Sequence, residues 1–256
     1  MSHKNRKPQP HKEDKSIFIP QRDKVKEELF IRTPFQFTEK QKQFIDLALN
    51  KNNKIIICNA PPGVGKTMLS IYCCLQMLNS KSLSQILYLR NPIEASSKGI
   101  GFIPGEKIVK LQAFGEPAYD QLKVFLNKSD LDKIQKEERV LVETVGFIQG
   151  RTFCNSGIIM DEAEDLSLKE LRMVMSRMGA FSKLFLIGDE RQKNVKNSGF
   201  RNVFNLFNDE ESKSKGIVTF EFTKDDCMRS GLLKYILDKL EGYVPGETMF
   251  PEPLKC

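Results

Sequence analysis

The sequence predicts an α/β fold, a mainly parallel sheet with helices on both faces. Three observations carry that reading. Apolar runs of strand length begin near residues 55, 85, 139, 157, 183 and 216, with helical periodicity between them. The first run, Ile55-Ile56-Ile57-Cys58, enters a Pro/Gly turn, after which Gly65-Lys66-Thr67 opens an amphipathic stretch. Strand, tight turn and helix in that order build a phosphate-binding loop, or P-loop. Two later runs end in carboxylates: Asp161-Glu162 after Ile158-Ile159-Met160, and Asp189 after Leu186-Ile187-Gly188.

With 256 residues and a formal net charge of +7, the chain suits one α/β domain with a sizeable core plus a tail. It is too short for the two full nucleotide-binding lobes that a monomeric helicase pairs. The charge is a mild hint of an anionic partner, weaker than a committed nucleic-acid binder shows. The six cysteines, Cys58, Cys73, Cys74, Cys154, Cys227 and Cys256, form no C-x-x-C pair, and His3 and His11 both lie in the tail. That argues against a zinc site. Several cysteines fall inside apolar runs, as small buried hydrophobes do in a reducing compartment. No apolar run approaches the ~18 residues of a bilayer span, and the N-terminus lacks an apolar signal core. The expectation is a soluble, cytoplasmic protein that makes no membrane contact.

Residues 1–35 read as a basic, flexible tail, with Lys4, Arg6, Lys7, Lys12 and Lys15 outnumbering Glu13 and Asp14. The sharper alternative is an arm that tracks phosphate backbone, with residues 16–20 docking as a short strand. The domain proper is expected over 36–256. Thr38 is a helix N-cap, followed by Phe44, Ile45, Leu47, Ala48 and Leu49 at helical spacing. Gln41, one turn in and preceded by Phe37, has the placement with which helicase-like ATPases read adenine; an exposed helical Gln is the alternative.

The loop itself spans Ala60, Pro61, Pro62, Gly63, Val64, Gly65, Lys66, Thr67 and Met68. Gly63 and Gly65 let backbone N–H groups turn inward without a Cβ in the way. The following helix points its N-terminus at the same anion. Lys66 is placed to bridge β- and γ-phosphates, and the Thr67 hydroxyl to sit on Mg²⁺. Ala60 stands where the first glycine of G-x-x-x-x-G-K-[ST] belongs, and the two prolines stiffen the entry.

Beyond it come a helix over 68–78 and a strand ending at Arg90-Asn91-Pro92, then a Gly/Pro loop over 98–105 of the kind that binds ligands at strand ends. A helix follows over 106–127 with a break at Gly115-Glu116-Pro117, then a charged helix, a strand and a loop with Gly150-Arg151-Thr152. Asp161 is expected to hold Mg²⁺ and Glu162 to orient or deprotonate the attacking water. Adjacent carboxylates repel, and a nearby metal and triphosphate explain their tolerance. Asp189 and Gln192 are placed to sense the γ-phosphate. Arg229 falls in the first turn of a last helix over 228–242, where a cation opposes the helix dipole and is better held by an outside anion.

Together these residues resemble the PhoH-like family of P-loop ATPases over 36–242. The matching elements are Pro61 to Thr67, Arg90-Asn91-Pro92, Gly101-Phe102-Ile103-Pro104-Gly105, Gly150-Arg151-Thr152, Asp161-Glu162-Ala163, Arg177 before Gly179, Gly188-Asp189 with Gln192, and Met228-Arg229. The resemblance implies a single RecA-like P-loop NTPase domain, related to superfamily-one helicase cores, using ATP and Mg²⁺. It implies action on single-stranded RNA or DNA, and the compact form resembles phage-encoded versions without a PIN nuclease domain. Departures are Ala60, Asn91 in place of Arg before Pro, and Ser230 in place of His after Arg229. A single lobe lacks a second lobe's arginine, so a homo-oligomeric ring, a hexamer, is expected to present Arg229, Arg177 or Arg151 in trans. Catalysis is then expected from Lys66, Thr67, Asp161 and Glu162, with Asp189 and Gln192 sensing. The rival reading is a nucleotide-gated module that regulates a protein partner with little turnover.

Overall fold

A computed structural model describes residues 23–91, 107–192 and 198–228, together with positions 231, 232, 235, 236 and 239. The six expected strands all form: β1 (Ile55–Asn59), β2 (Gln85–Arg90), β3 (Val140–Glu143), β4 (Ser156–Asp161), β5 (Lys183–Gly188) and β6 (Ile217–Glu221). They make one sheet in the order β3-β2-β4-β5-β1-β6, and every pairing is parallel. Parallel register brings all six carboxyl ends to one edge, and ligands of such sheets bind outside that edge.

The helices cover both faces because the strands alternate. Ile56 and Cys58 of β1, Tyr88 of β2, Ile159 of β4 and Phe185 of β5 enter one core. That core is filled from α1 (Glu39–Leu49), α2 (Lys66–Asn79), α3 (Lys107–Phe125) and α4 (Lys128–Lys136), through residues such as Phe44, Leu69, Phe125 and Ile134. Ile57, Leu87, Ile158 and Leu184 enter the other core, against α5 (Leu168–Met175) and α6 (Phe200–Leu206). A short α7 (Glu210–Ser214) precedes β6. Capping fixes the helix starts: Thr38 with Gln41 opens α1 and Ser167 with Glu170 opens α5, each as a reciprocal capping box.

Two local expectations give way to packing. The break over 115–117 does not form, and α3 runs through Pro117 unbroken. Gly115 explains the tolerance: a Cβ there would stand 2.8 Å from Val142 Cγ2, so the missing side chain lets α3 lie directly on β3. That contact outweighs the one backbone bond a proline forfeits.

The tail also ends earlier than its composition implies. Val25 and Leu29 are buried in the first core, and Leu29 N–H donates to Asn79 Oδ1 at 2.9 Å while Asn79 Nδ2 donates to the Leu29 carbonyl at 2.8 Å. Arg139 donates to the Asp23 carbonyl. Residues 23–35 are thus a strap on the domain, and burying two such side chains offsets their ordering by about 1.5–3 kcal/mol each. The docking expected of 16–20, the Gly/Pro loop over 98–105 and Arg229 lie outside the described residues.

Lys183, at the start of β5, is buried and donates to the carbonyls of Ala48 and Asn50, closing the end of α1. Burial pushes its ammonium down to about 8. No helix among the described residues is long and apolar enough to cross a membrane.

Candidate nucleotide-binding site

The loop after β1 turns left-handed at Gly63 (φ 86°) and Gly65 (φ 87°), conformations open to glycine at no steric cost. Between them Val64 is fully buried and anchors the loop from below. Gly65 caps α2 with no side-chain bond, so the first N–H groups of the helix are left to a ligand, as an anion site requires. Ala60 is not among the positive-φ residues. Its methyl is buried in the core and its N–H donates to the Gly188 carbonyl at 2.9 Å. At this position the backbone is one any residue adopts, so alanine replaces the usual glycine without strain.

Gln41 reaches this loop from the first turn of α1. It is buried, its Oε1 accepts from Thr38 N–H at 3.0 Å, and its Nε2 donates to the Val64 carbonyl at 2.9 Å. It therefore ties α1 to the phosphate loop, and its amide keeps one N–H and one oxygen lone pair beyond these two bonds. From the opposite side, Met228 N–H donates to the Gly63 carbonyl at 3.1 Å and Cys227 Sγ to the Pro62 carbonyl at 3.4 Å. The sequence reading did not anticipate this second support.

The acidic wall comes from β4. Thr67 Oγ1 donates to Asp161, 3.1 Å from Oδ2 and 3.2 Å from Oδ1. Tyr88, fully buried on neighbouring β2, donates its hydroxyl to Asp161 Oδ2 at 2.6 Å. Burial raises the Asp161 carboxyl, while Tyr88, Lys66 and Arg90 pull it back. Tyr88 was missed at the level of sequence. Its only signal is that a tyrosine in a strand buried on both faces needs an acceptor for its hydroxyl.

Glu162 follows with left-handed backbone (φ 53°, ψ 46°), a strained state for a residue bearing a Cβ and one that gathers at functional sites. Arg90 Nη2 stands 3.6 Å from Glu162 Oε1. The pair exists because β2 lies beside β4 with Arg90 opposite Asp161. Glu164 is buried behind it, and burial together with a hydrogen bond to Glu162 pushes its carboxyl up. Its Oε2 has no hydrogen-bond partner among the described residues. A Cβ at Gly188 would come 2.5 Å from that oxygen, which is why β5 ends in glycine.

Strand β5 lies between β1 and β4, so Asp189 sits between the loop and the carboxylates. Asp189 is buried; Arg191 N–H donates to its Oδ1 at 3.1 Å and Gln192 N–H to its carbonyl at 2.9 Å. Gln192 is exposed beside it. Asn59, the last residue of β1, donates to Glu221 Oε1 at 2.7 Å and accepts from Glu190 N–H at 3.2 Å. Arg201 reaches both acids, at 3.0 Å and 3.5 Å. This latch joins β1, β6 and the turn after β5, and it was not expected.

Lys66, Thr67, Asp161, Glu162, Asp189 and Gln192 thus share the carboxyl edge with the loop from Ala60 to Met68. Arg177 does not join them. It lies beyond the far end of α5, donating to Ser176 Oγ at 3.2 Å and to the Arg151 carbonyl at 3.5 Å. Arg151 pairs with Glu143 at 2.8 Å and covers the Phe153 ring at 4.8 Å.

The donor set fits Mg²⁺. Among the described residues no group of three or more His, Cys, Asp or Glu side chains forms a complete metal cage. One carboxylate and one hydroxyl, already facing each other, suit a cation that keeps several waters and takes the rest of its ligands from phosphates.

A family model described as PhoH-like protein matches residues 35–241. A PhoH-like protein of Synechocystis is 29% identical over 219 residues, which cover 84% of this chain and 65% of that protein. Protein PhoH of Escherichia coli K12 is 29% identical over 192 residues, covering 73% and 53%. The chain therefore spans between about half and two thirds of the length of these curated relatives. Among solved structures it is similar to the large terminase of a thermophilic bacteriophage, at 13% identity and a TM-score of 0.48, covering 80% of this chain and 50% of that one. The chain, with its single phosphate-loop α/β domain, belongs to the PhoH-like family.

Proposed function

We propose that the chain hydrolyses ATP with Mg²⁺ and couples hydrolysis to binding and remodelling of single-stranded RNA or DNA. The observation that carries the hydrolytic part is the Thr67–Asp161 pair at 3.1 Å beside Glu162. A phosphate loop, a metal-binding pair and a second carboxylate sit together on one edge.

In this mechanism the amides around Gly63 and Gly65 cradle the phosphates and Lys66 neutralises charge on the β- and γ-groups. Thr67 and Asp161 would hold Mg²⁺, which would supply positive charge against the charge developing on the phosphates. Glu162 orients the attacking water and takes its proton, and Arg90 restrains that carboxylate from the adjacent strand. Asp189 and Gln192 report the γ-phosphate through the turn between the two walls. A ring of identical subunits would bring Arg229, Arg177 or Arg151 to a neighbouring site; the half-buried Arg177, away from its own loop, suits such a role.

The test is steady-state phosphate release with and without single-stranded RNA or DNA, alongside light scattering. Hydrolysis stimulated by the oligonucleotide and reduced roughly 10²–10⁴-fold in Glu162→Gln is expected. Turnover unaffected by that substitution would sink the assignment of Glu162, and an active monomer would sink the ring.

A further inference from the structure

At the edge of the sheet opposite the phosphate loop, a cleft of about 650 Å³ opens between the ends of α1 and α2 and the starts of β1, β2 and β5. Four lysines line it: Lys24 from the strap, Lys51 and Lys54 before β1, and Lys183. Among the described residues its lining includes no Asp or Glu. Phe181 stands at its rim, 74% exposed and held in left-handed backbone (φ 57°), an outlier for so bulky a residue.

The lysines are partly explained by the helix ends they face. Lys183 donates to the carbonyls of Ala48 and Asn50, Lys54 to the Lys51 carbonyl at 2.6 Å, and Lys24 to the Lys81 carbonyl. Charge balance decides how much is left over. Two helix C-termini carry about −0.5 each, so with buried Lys183 left out, Lys24, Lys51 and Lys54 leave roughly +2 at the cleft. Each ammonium also has three donors, and the carbonyl contacts of Lys24 and Lys54 use one apiece. The carbonyls fix the cations in place without consuming them.

We infer that this cleft binds single-stranded nucleic acid, Lys24, Lys51 and Lys54 contacting backbone phosphates and Phe181 stacking on an unpaired base. Sequence-tolerant binding of single strands uses this combination of a positive groove and an exposed aromatic face. Duplex bases are already stacked and cannot meet the ring. The inference rests on the nucleic-acid reading above and gives it a surface on this chain.

The experiment measures fluorescence anisotropy of a labelled single-stranded 20-mer, RNA and DNA, with the full chain across a salt series. Inorganic polyphosphate serves as a competitor, and a fluorescent ATP analogue monitors the other edge. Lys51 and Lys54 are exposed, so the Lys51→Glu/Lys54→Glu double variant keeps the fold, checked by its melting temperature. It is expected to lose binding at least tenfold and to reduce the salt slope by about 1.4, at ~0.7 per single-strand phosphate. Phe181→Ala is expected to weaken the oligonucleotide by about 5- to 100-fold and to leave polyphosphate competition and analogue binding unchanged.

Three outcomes overturn the inference. Wild-type binding that survives both substitutions with its slope intact removes the cleft and leaves nucleic-acid binding on another surface. A wild type that binds no oligonucleotide removes the cleft and the nucleic-acid reading together. Loss of polyphosphate and oligonucleotide alike in the lysine variant, with no effect of Phe181→Ala, makes the ligand a free polyanion.

Discussion

The two edges of one sheet are built in opposite ways. At the carboxyl edge the polar groups answer one another: Thr67 and Tyr88 both donate to Asp161, and Arg90 faces Glu162. The phosphate cradle there is backbone, shaped by two glycines. At the amino edge the polar groups are long cations tied to main-chain carbonyls. One edge holds short, rigid groups, as chemistry requires, because positioning to a fraction of an ångström sets the rate. The other holds charge at the ends of long side chains, which suits a partner recognised by its phosphates rather than by its shape.

The sharpest way to break that comparison is at the loop. Lys66→Ala is expected to reduce phosphate release by about 10²–10³-fold, the range for losing one preorganised charge partner, while oligonucleotide affinity at the amino edge holds. Parallel loss of both would show that the edges are not separable. Next in size is the strap beside the amino edge. Leu29 is 4% exposed, and Leu29→Ala is expected to cost ~2–3 kcal/mol in urea unfolding, as other buried Leu truncations do; a cost below ~0.5 kcal/mol would mean that the strap is not docked.

Glu164 tests the carboxyl edge through pH. Its carboxyl is raised above the ordinary 4.5, so the neutral form suits the fold. The stability it contributes is complete below 4.5 and is lost as pH rises through the raised value. In nucleotide-free protein, Glu164→Gln is therefore expected to exceed the parent by ~1–2 kcal/mol at pH 8, the gap closing toward pH 5. A gap independent of pH would refute the burial of an ionising group there. Smallest is Tyr88→Phe, which deletes one hydrogen bond to Asp161 at ~1 kcal/mol of stability. It is expected to raise the Mg²⁺ concentration for half-maximal hydrolysis about tenfold, as removal of a ligand's supporting partner does. An unchanged Mg²⁺ requirement would assign Tyr88 to packing alone.

The same contrast explains what could be read from sequence. The strands and the carboxyl edge were legible because their signals are contiguous: an apolar run, then Gly65-Lys66-Thr67 or Asp161-Glu162. Neighbour order across the sheet has no local signature, so the pairing of Arg90 with Glu162 could not be read before β2 was known to lie beside β4. The lysine cleft draws on positions 24, 51, 54 and 183, which no spacing rule connects. Val25 and Leu29 are isolated apolar residues in a charged stretch, so composition reads tail and no local pattern marks their burial. At Gly115 and Pro117 the local breaker signal was real, and packing against Val142 overrode it.

Helix α2 joins what the sheet separates. Its 14 residues at ~1.5 Å each make a strut of about 21 Å. One end is Lys66 in the phosphate loop; the other is Asn79, gripped twice by the backbone of Leu29. Gln76 and Met77, on its last turn, line the lysine cleft. An axial displacement of the first turn is therefore a displacement of the strap and of one cleft wall. The phosphate loop and the lysine cleft are thus the two ends of one rigid rod, with no loop in series between them.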